Sequence, residues 1–195
     1  MAEIKILVNG YASRKKKGCP ASPNSVLIFD GNVKVLVDPG SNAKALLEAL
    51  RKEKIKPADI DIVFLTHYHL DHLLNIRLFS TNDIYDGDTI SRNDKIIEYS
   101  GGKLPKTNIR VIKTPGHSFE HCSLLVQTAK GKVALGGDVF WWWDDQKQKT
   151  DRASLLKHKD PFVKNKTALL QSRRKLLEIA DYIIPGHGPL FKVEK

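Results

Sequence analysis

The chain has 195 residues, 41% of them apolar and 28% charged, an ordinary balance for a folded protein with a substantial core. No apolar run approaches the roughly 18 residues of a membrane span. The opening MAEIKILVNG lacks a secretory layout, and two cysteines (Cys19 and Cys122) are too few for a disulfide framework. A single domain over 1–195, cytoplasmic and without a membrane partner, is therefore expected. The formal charge of +10 favours anionic partners without choosing between small metabolites and nucleic acid.

In chain order, IKILV (4–8) and SVLIF (25–29) are strand-like runs rich in β-branched residues. Asp30-Gly31-Asn32 is a hairpin turn into VKVLVD (33–38), which Pro39-Gly40 ends. Ser41 or Asn42 caps a predicted helix to about Lys54, with Ala45, Leu46, Ala49 and Leu50 on its core face. The near-continuous apolar run IDIVFLT then reads as a strand buried on both faces. Asn82–Asp94 and Ser100–Thr107 read as polar connections between short strands at KIIEY (95–99), NIRVIK (108–113), CSLLVQT (122–128) and KVALGG (132–137). A helical block follows, over about Ser154–His158 and Pro161–Ala180, and a last strand at DYIIP (181–185). Strands in both halves with amphipathic helices point to two facing sheets with helices outside, a layered α/β arrangement.

Three of the seven histidines fall in THYHLDH (66–72), directly after the buried strand. Imidazole and carboxylate suit a borderline divalent ion such as zinc. Alternate residues of an extended chain point the same way, so His67 and His69 can converge on one ion. Once the chain turns helical, Asp71 and His72 face elsewhere, which makes two adjacent half-sites. Further candidates stand at other strand ends, each beside glycine: His117 in TPGH, Asp138 in GGD and His187 in PGHG.

In this order, VDPG (37–40), THYHLDH, TPGH, GGD and PGHG resemble the five motifs of the metallo-β-lactamase superfamily, over nearly the whole chain. The resemblance implies a four-layer αββα sandwich with a dinuclear site at the sheet edges and a glyoxalase II-like ligand set. His67, His69 and His117 would bind one metal, Asp71, His72 and His187 the other, and Asp138 would bridge them. Asp38 matches the first motif's aspartate, which supports a ligand without being one. The ligand histidine at 72 and the absence of a suitable cysteine set the chain apart from the commonest true β-lactamases of the family. Neither the helical domain of glyoxalase II nor the inserted domain of the RNA-cleaving branch is expected. ILVNGYA, THYHLDHLLNIRLF, GGDVF and PGHGPLFKV are most similar to a group of small single-domain members, one of which, in animals, is associated with nucleic-acid cleavage.

The expected activity is a dinuclear metal-dependent hydrolase that uses a bridging hydroxide on an ester, thioester or lactone, with Asp71 orienting the nucleophile. The alternatives are a phosphodiesterase or ribonuclease, and a mononuclear iron persulfide dioxygenase. Two divalent ions are expected, zinc by donor type, with iron or manganese also compatible. The expected partner is a small anionic or neutral substrate, with nucleic acid and a homo-oligomer as open alternatives. Three further features bear on the site. At least one of Trp141, Trp142 and Trp143 is expected to line the substrate pocket or a subunit contact. The basic run Arg14-Lys15-Lys16-Lys17 is placed to greet an anion at the site mouth or to sit solvated at a hairpin tip. His121 is expected to support the site or lie on the surface, and His158 to be exposed.

Overall fold

The computed structural model describes residues 1–15, 17–99 and 101–194, so Lys16 of the basic run and Ser100 of the second polar connection lie outside the described residues. The first sheet contains β1 (Glu3–Val8), β4 (Ser25–Asp30), β5 (Val33–Val37), β6 (Ile62–Phe64), β7 (Asp83–Tyr85), β8 (Thr89–Arg92) and β9 (Lys95–Glu98), hydrogen-bonded in that order. A short ribbon, β2 (Tyr11–Ala12) with β3 (Ala21–Ser22), stands between β1 and β4. The second sheet runs β10 (Arg110–Lys113), β11 (Cys122–Thr128), β12 (Gly131–Gly137), β13 (Tyr182–Pro185) and β14 (Phe191–Lys192).

Parallel pairing occurs where a helix carries the chain back across the sheet. The helix α1 (Ala43–Lys52) joins β5 to β6, and α2 (Leu70–Leu73) with a following 3-10 segment joins β6 to β7. The helices α3 (Arg152–Lys157) and α4 (Lys166–Ile179) join β12 to β13. Asn42 caps α1 by accepting from Ala45 N at 3.1 Å, and Leu46 and Leu50 on its inner face are buried.

Three apolar interfaces separate four layers. Alternate residues of β4 point to opposite faces, so Val26 and Ile28 face the other sheet while Leu27 faces α1. The central layer joins Val35, Val37, Ile62 and Phe64 of the first sheet to Val111, Leu124, Val126 and Leu135 of the second. On the outside, Leu46 and Leu50 cover Leu36 and Val63, while Leu169, Leu176 and Leu177 cover Leu125, Ala134 and Ile183. The order is helix, sheet, sheet, helix: the expected αββα sandwich of the α/β class.

Two expectations need correction. The segment Asn82–Asp94 is not a plain connection, because β7 and β8 extend the first sheet through it. Most of its strand positions are only half-buried, with Tyr85 buried and Arg92 exposed, so no continuous apolar run marked them. The last long helix starts at Lys166, where Asn165 caps by accepting from Ala168 N, and not at Pro161. Among the described residues, no helix is long and apolar enough to cross a membrane.

Candidate metal centre

The carboxyl ends of β6, β10, β12 and β13 meet at one edge of the sandwich. Backbone bonds lock the two sheets together there: Cys122 N donates to Thr66 O at 2.9 Å and Asn24 N to Gly186 O at 2.7 Å. All seven sequence candidates come to this edge, in two groups. His67, His69, His117 and Asp138 form one, and Asp71, His72 and His187 the other, with the donor atoms of each within 4.8 Å of one another.

Asp138 stands between the groups and divides its oxygens. Its Oδ2 lies 3.3 Å from His117 Nε2 and 3.8 Å from His67 Nε2. Its Oδ1 lies 3.3 Å from His72 Nε2 and 3.8 Å from His187 Nε2. Asp71 Oδ2 completes the second group at 3.2 Å from His187 Nε2 and 3.8 Å from His72 Nε2. His69 Nδ1 faces His117 Nε2 at 3.0 Å.

The outer nitrogens of the rings are committed, which fixes the tautomers. His72 Nδ1–H donates to Asp38 Oδ2 at 2.8 Å, and His117 Nδ1–H to Asp160 Oδ2 at 2.7 Å. His187 Nδ1–H is shared by the carbonyls of Tyr11 and Ser22, each at 3.0 Å. Thr66 Oγ1 gives its own proton to Asp38 Oδ2, so it accepts from His67 Nδ1 at 3.1 Å. Four imidazoles therefore turn Nε2 toward the same small volume. Asp38 supports two of them without joining either group, as the first motif implies.

The fit to metal can be tested on these atoms. His67 Nε2, His72 Nε2 and Asp138 Oδ1 are buried without a hydrogen-bond partner, which is costly unless a cation answers them. Zinc bonds of about 2.0–2.1 Å in tetrahedral geometry put neighbouring donors about 3.3 Å apart, close to the 3.2–3.8 Å separations between the Asp138 or Asp71 oxygens and the imidazoles. The residues of both groups fit divalent metal ions.

Electrostatics at the edge follow from burial and charge together. Burial pushes His67 well below its ordinary pKa, aided by the nearby His72. Burial also opposes charge on His72, but Asp138 and Asp38 outweigh it and hold that ring well above its usual value. His117 is raised in the same way, with Asp160 and Asp138 overcoming burial. Burial works against ionised Asp138 and Asp71 too, yet the surrounding imidazoles hold both carboxyls below the usual range.

A cleft of about 470 Å³ opens onto both groups, lined by His69, Asp71, Asp138 and His187 together with Trp141, Trp143, Phe162 and Leu70. Trp141 and Trp143 thus line this cleft, while Trp142 is packed in the core against Phe191. Ala12, Cys19 and Ala21 of the β2–β3 region form the opposite lip, and Arg14 lies over the Trp143 ring at 4.8 Å. His121 is fully buried and supports the site: its Nε2 accepts from Asp138 N at 3.1 Å and its Nδ1–H donates to Thr114 Oγ1 at 3.0 Å. His158, expected to be exposed, is half-buried, with its Nε2–H on the Trp141 carbonyl at 2.6 Å. Pattern reading saw a lysine-rich helix end and could not see that partner. Asp160 escaped notice altogether, because it holds a ring 43 positions away in sequence and no local motif marks it.

Comparison with known proteins agrees with this architecture. The profile described as the metallo-β-lactamase superfamily matches residues 20–86. A Thermotoga maritima structure named for the metallo-β-lactamases superposes with a TM-score of 0.71 at 22% identity, over 98% of this chain and 99% of that one. AidC, described as a dizinc quorum-quenching lactonase, superposes with a TM-score of 0.67 at 16% identity, over 90% of this chain and 76% of that one. The Xenopus laevis protein called metallo-beta-lactamase domain-containing protein 1 is 31% identical over 205 aligned residues, spanning 98% of this chain and 82% of its own length. With that identity over that span, and the five motifs converging on one edge, the chain belongs to the metallo-β-lactamase superfamily.

Proposed function

We propose that the chain is a hydrolase of carbonyl substrates, an ester, thioester or lactone, working with two divalent ions that are zinc by donor type. The observation that carries the reading is the cleft over the two donor groups. Its walls are aromatic and alkyl, and no lysine or arginine lines it among the described residues. The walls match an acyl group at Trp141, Trp143, Phe162 and Leu70, and beyond the metal ions they offer a phosphoryl group no cationic side chain.

His67, His69, His117 and Asp138 would hold one ion, and Asp71, His72, His187 and Asp138 the other. When bound, such ions polarise a carbonyl and lower the pKa of water from about 15.7 to near 7. The chain's own contribution is orientation. Asp38, Asp160, Thr66 and the carbonyls of Tyr11 and Ser22 fix which nitrogen each imidazole presents. Asp71, held as carboxylate by His187 and His72 against its burial, has the free acceptor capacity to orient a nucleophile's proton at the cleft floor. AidC, similar in fold and described as a dizinc lactonase with a bound product, supports this substrate class.

The test is metal analysis followed by a panel of thioester, lactone, phosphodiester and RNA substrates. Two equivalents of zinc with carbonyl turnover are expected, and Asp71→Asn should lower kcat by roughly a hundredfold or more. Cleavage of RNA or phosphodiesters without carbonyl turnover would overturn the reading. So would one equivalent of iron with sulfur-dependent oxygen uptake.

A further inference from the structure

Behind the Asp160–Val163 segment lies a second cavity of about 670 Å³, which shares the Trp143 ring with the metal cleft. Arg14, Lys157, Lys159, Lys166 and Arg173 line it, and Asp160 is its one acid among the described residues. That acid is already committed: Oδ2 accepts from His117 Nδ1 at 2.7 Å and Oδ1 from Phe162 N at 2.9 Å. Arg14 also has Asp145 at 3.8 Å, but the three lysines form no ion pair among the described residues.

Arg173 is the unusual member. It is 3% exposed, and its guanidinium donates through Nε to Val139 O at 3.0 Å and through Nη1 to His158 O at 2.6 Å. The Phe140 ring lies 5.7 Å from its Cζ. Its Nη2 is buried with no partner, and no carboxylate forms an ion pair with it among the described residues. Carbonyls carry no net charge and Asp160 attracts the guanidinium without forming an ion pair with it, so a full positive charge is buried without a direct counter-ion, a costly arrangement unless an anion is drawn in. Burial accordingly brings its pKa down to about 10, against the pull of Asp160.

We infer that this cavity is a binding site for a phosphate- or carboxylate-type oxyanion, and that the anion is a handle on the substrate whose carbonyl reacts in the neighbouring cleft. The unpartnered Nη2 of Arg173 has N–H groups left to give to an oxygen of such a group, and the lysines add charge at the rim. Trp143 borders both spaces, so they lie side by side, and its ring already carries Arg14. The inference deepens the hydrolase reading and rests on it for the handle: the substrate has an apolar acyl end and an anionic far end.

The cavity itself is tested without turnover, by isothermal titration of inorganic phosphate into the metal-loaded protein. Saturable binding is expected, weakened about fivefold or more in Arg173→Lys and, separately, in Lys159→Gln/Lys166→Gln, with metal content equal to wild type. Lys159 and Lys166 are exposed, so the double variant decides the matter if Arg173→Lys does not fold. Binding that is absent, or equal in wild type and variants because phosphate sits elsewhere, overturns the site. The source of the anion is read from two thioesters with one acyl group, released from a phosphate-bearing or a neutral thiol. A KM about fivefold lower for the first, lost in the double variant, assigns the cavity to substrate. Equal KM values beside intact phosphate binding would overturn the handle and assign the cavity to a free anion. If neither thioester is hydrolysed, the same pair is made as phosphate-bearing and neutral esters and lactones; if none of these is hydrolysed either, the hydrolase reading and the handle fail while the phosphate titration still decides the cavity.

Discussion

His121 shows how one side chain can serve a metal centre without reaching it. Its ring is fully buried, accepts the amide of Asp138 and donates to Thr114, so it must stay neutral to keep both bonds. Burial lowers its pKa from the ordinary 6.5 to about 3. Below pH 6.5 the unfolded chain takes up a proton that the folded ring refuses until near pH 3, so stability falls as pH drops through that window. The slope is about 1.4 kcal/mol per pH unit, or about 2 kcal/mol at pH 5. Urea unfolding of metal-stripped protein should therefore show a difference between pH 7 and pH 5 that is about 2 kcal/mol smaller in His121→Gln than in wild type. Equal differences would mean that the folded ring accepts its proton. Asp160 works in a complementary way, adding a carboxylate behind His117 that favours the ring and fixes its tautomer.

At the scale of elements, the turn after β13 carries the tightest constraint on the site. Gly186 N bonds Gly137 O at 2.7 Å, and a Cβ at residue 186 would overlap Asp138 Oδ1. Gly186→Ala should therefore displace the carboxylate that serves both donor groups and weaken metal retention about tenfold or more. Chelator competition on the folded variant measures this, and wild-type retention would show that the turn can shift aside. The same turn explains why the site was so legible. Glycine-flanked histidines and aspartates at strand ends are a local pattern, and so are the Asn42 cap and the Leu46/Leu50 spacing of α1. The illegible parts depend on partners distant in sequence. The mostly half-buried β7 and β8 owe their strand form to neighbours in the sheet, and His158 has its partner in the distant Trp141 carbonyl. Arg173 reads as one more cation on a basic helix until the fold closes over it.

For the whole molecule, the donor groups draw on both sheets. His67, His69, Asp71 and His72 follow β6 of the first sheet, while His117, Asp138 and His187 follow strands of the second. A ligand that binds only the folded state stabilises it by about 4 kcal/mol at a thousand times its dissociation constant. Removing the metals with a chelator should lower the urea stability of the protein by several kcal/mol, with one cooperative transition kept. No change in midpoint would mean that the ions bind the unfolded chain equally well or not at all.

Neither sheet owns a donor group: the first supplies two members to each, and the second supplies the rest. A chain divided between β9 and β10 would leave both fragments with incomplete sets, however well each half held its shape. Loading is therefore an act of assembly, and metal uptake registers the moment at which the two halves have found their register. On the two-ion reading, activity arrives only with the complete fold.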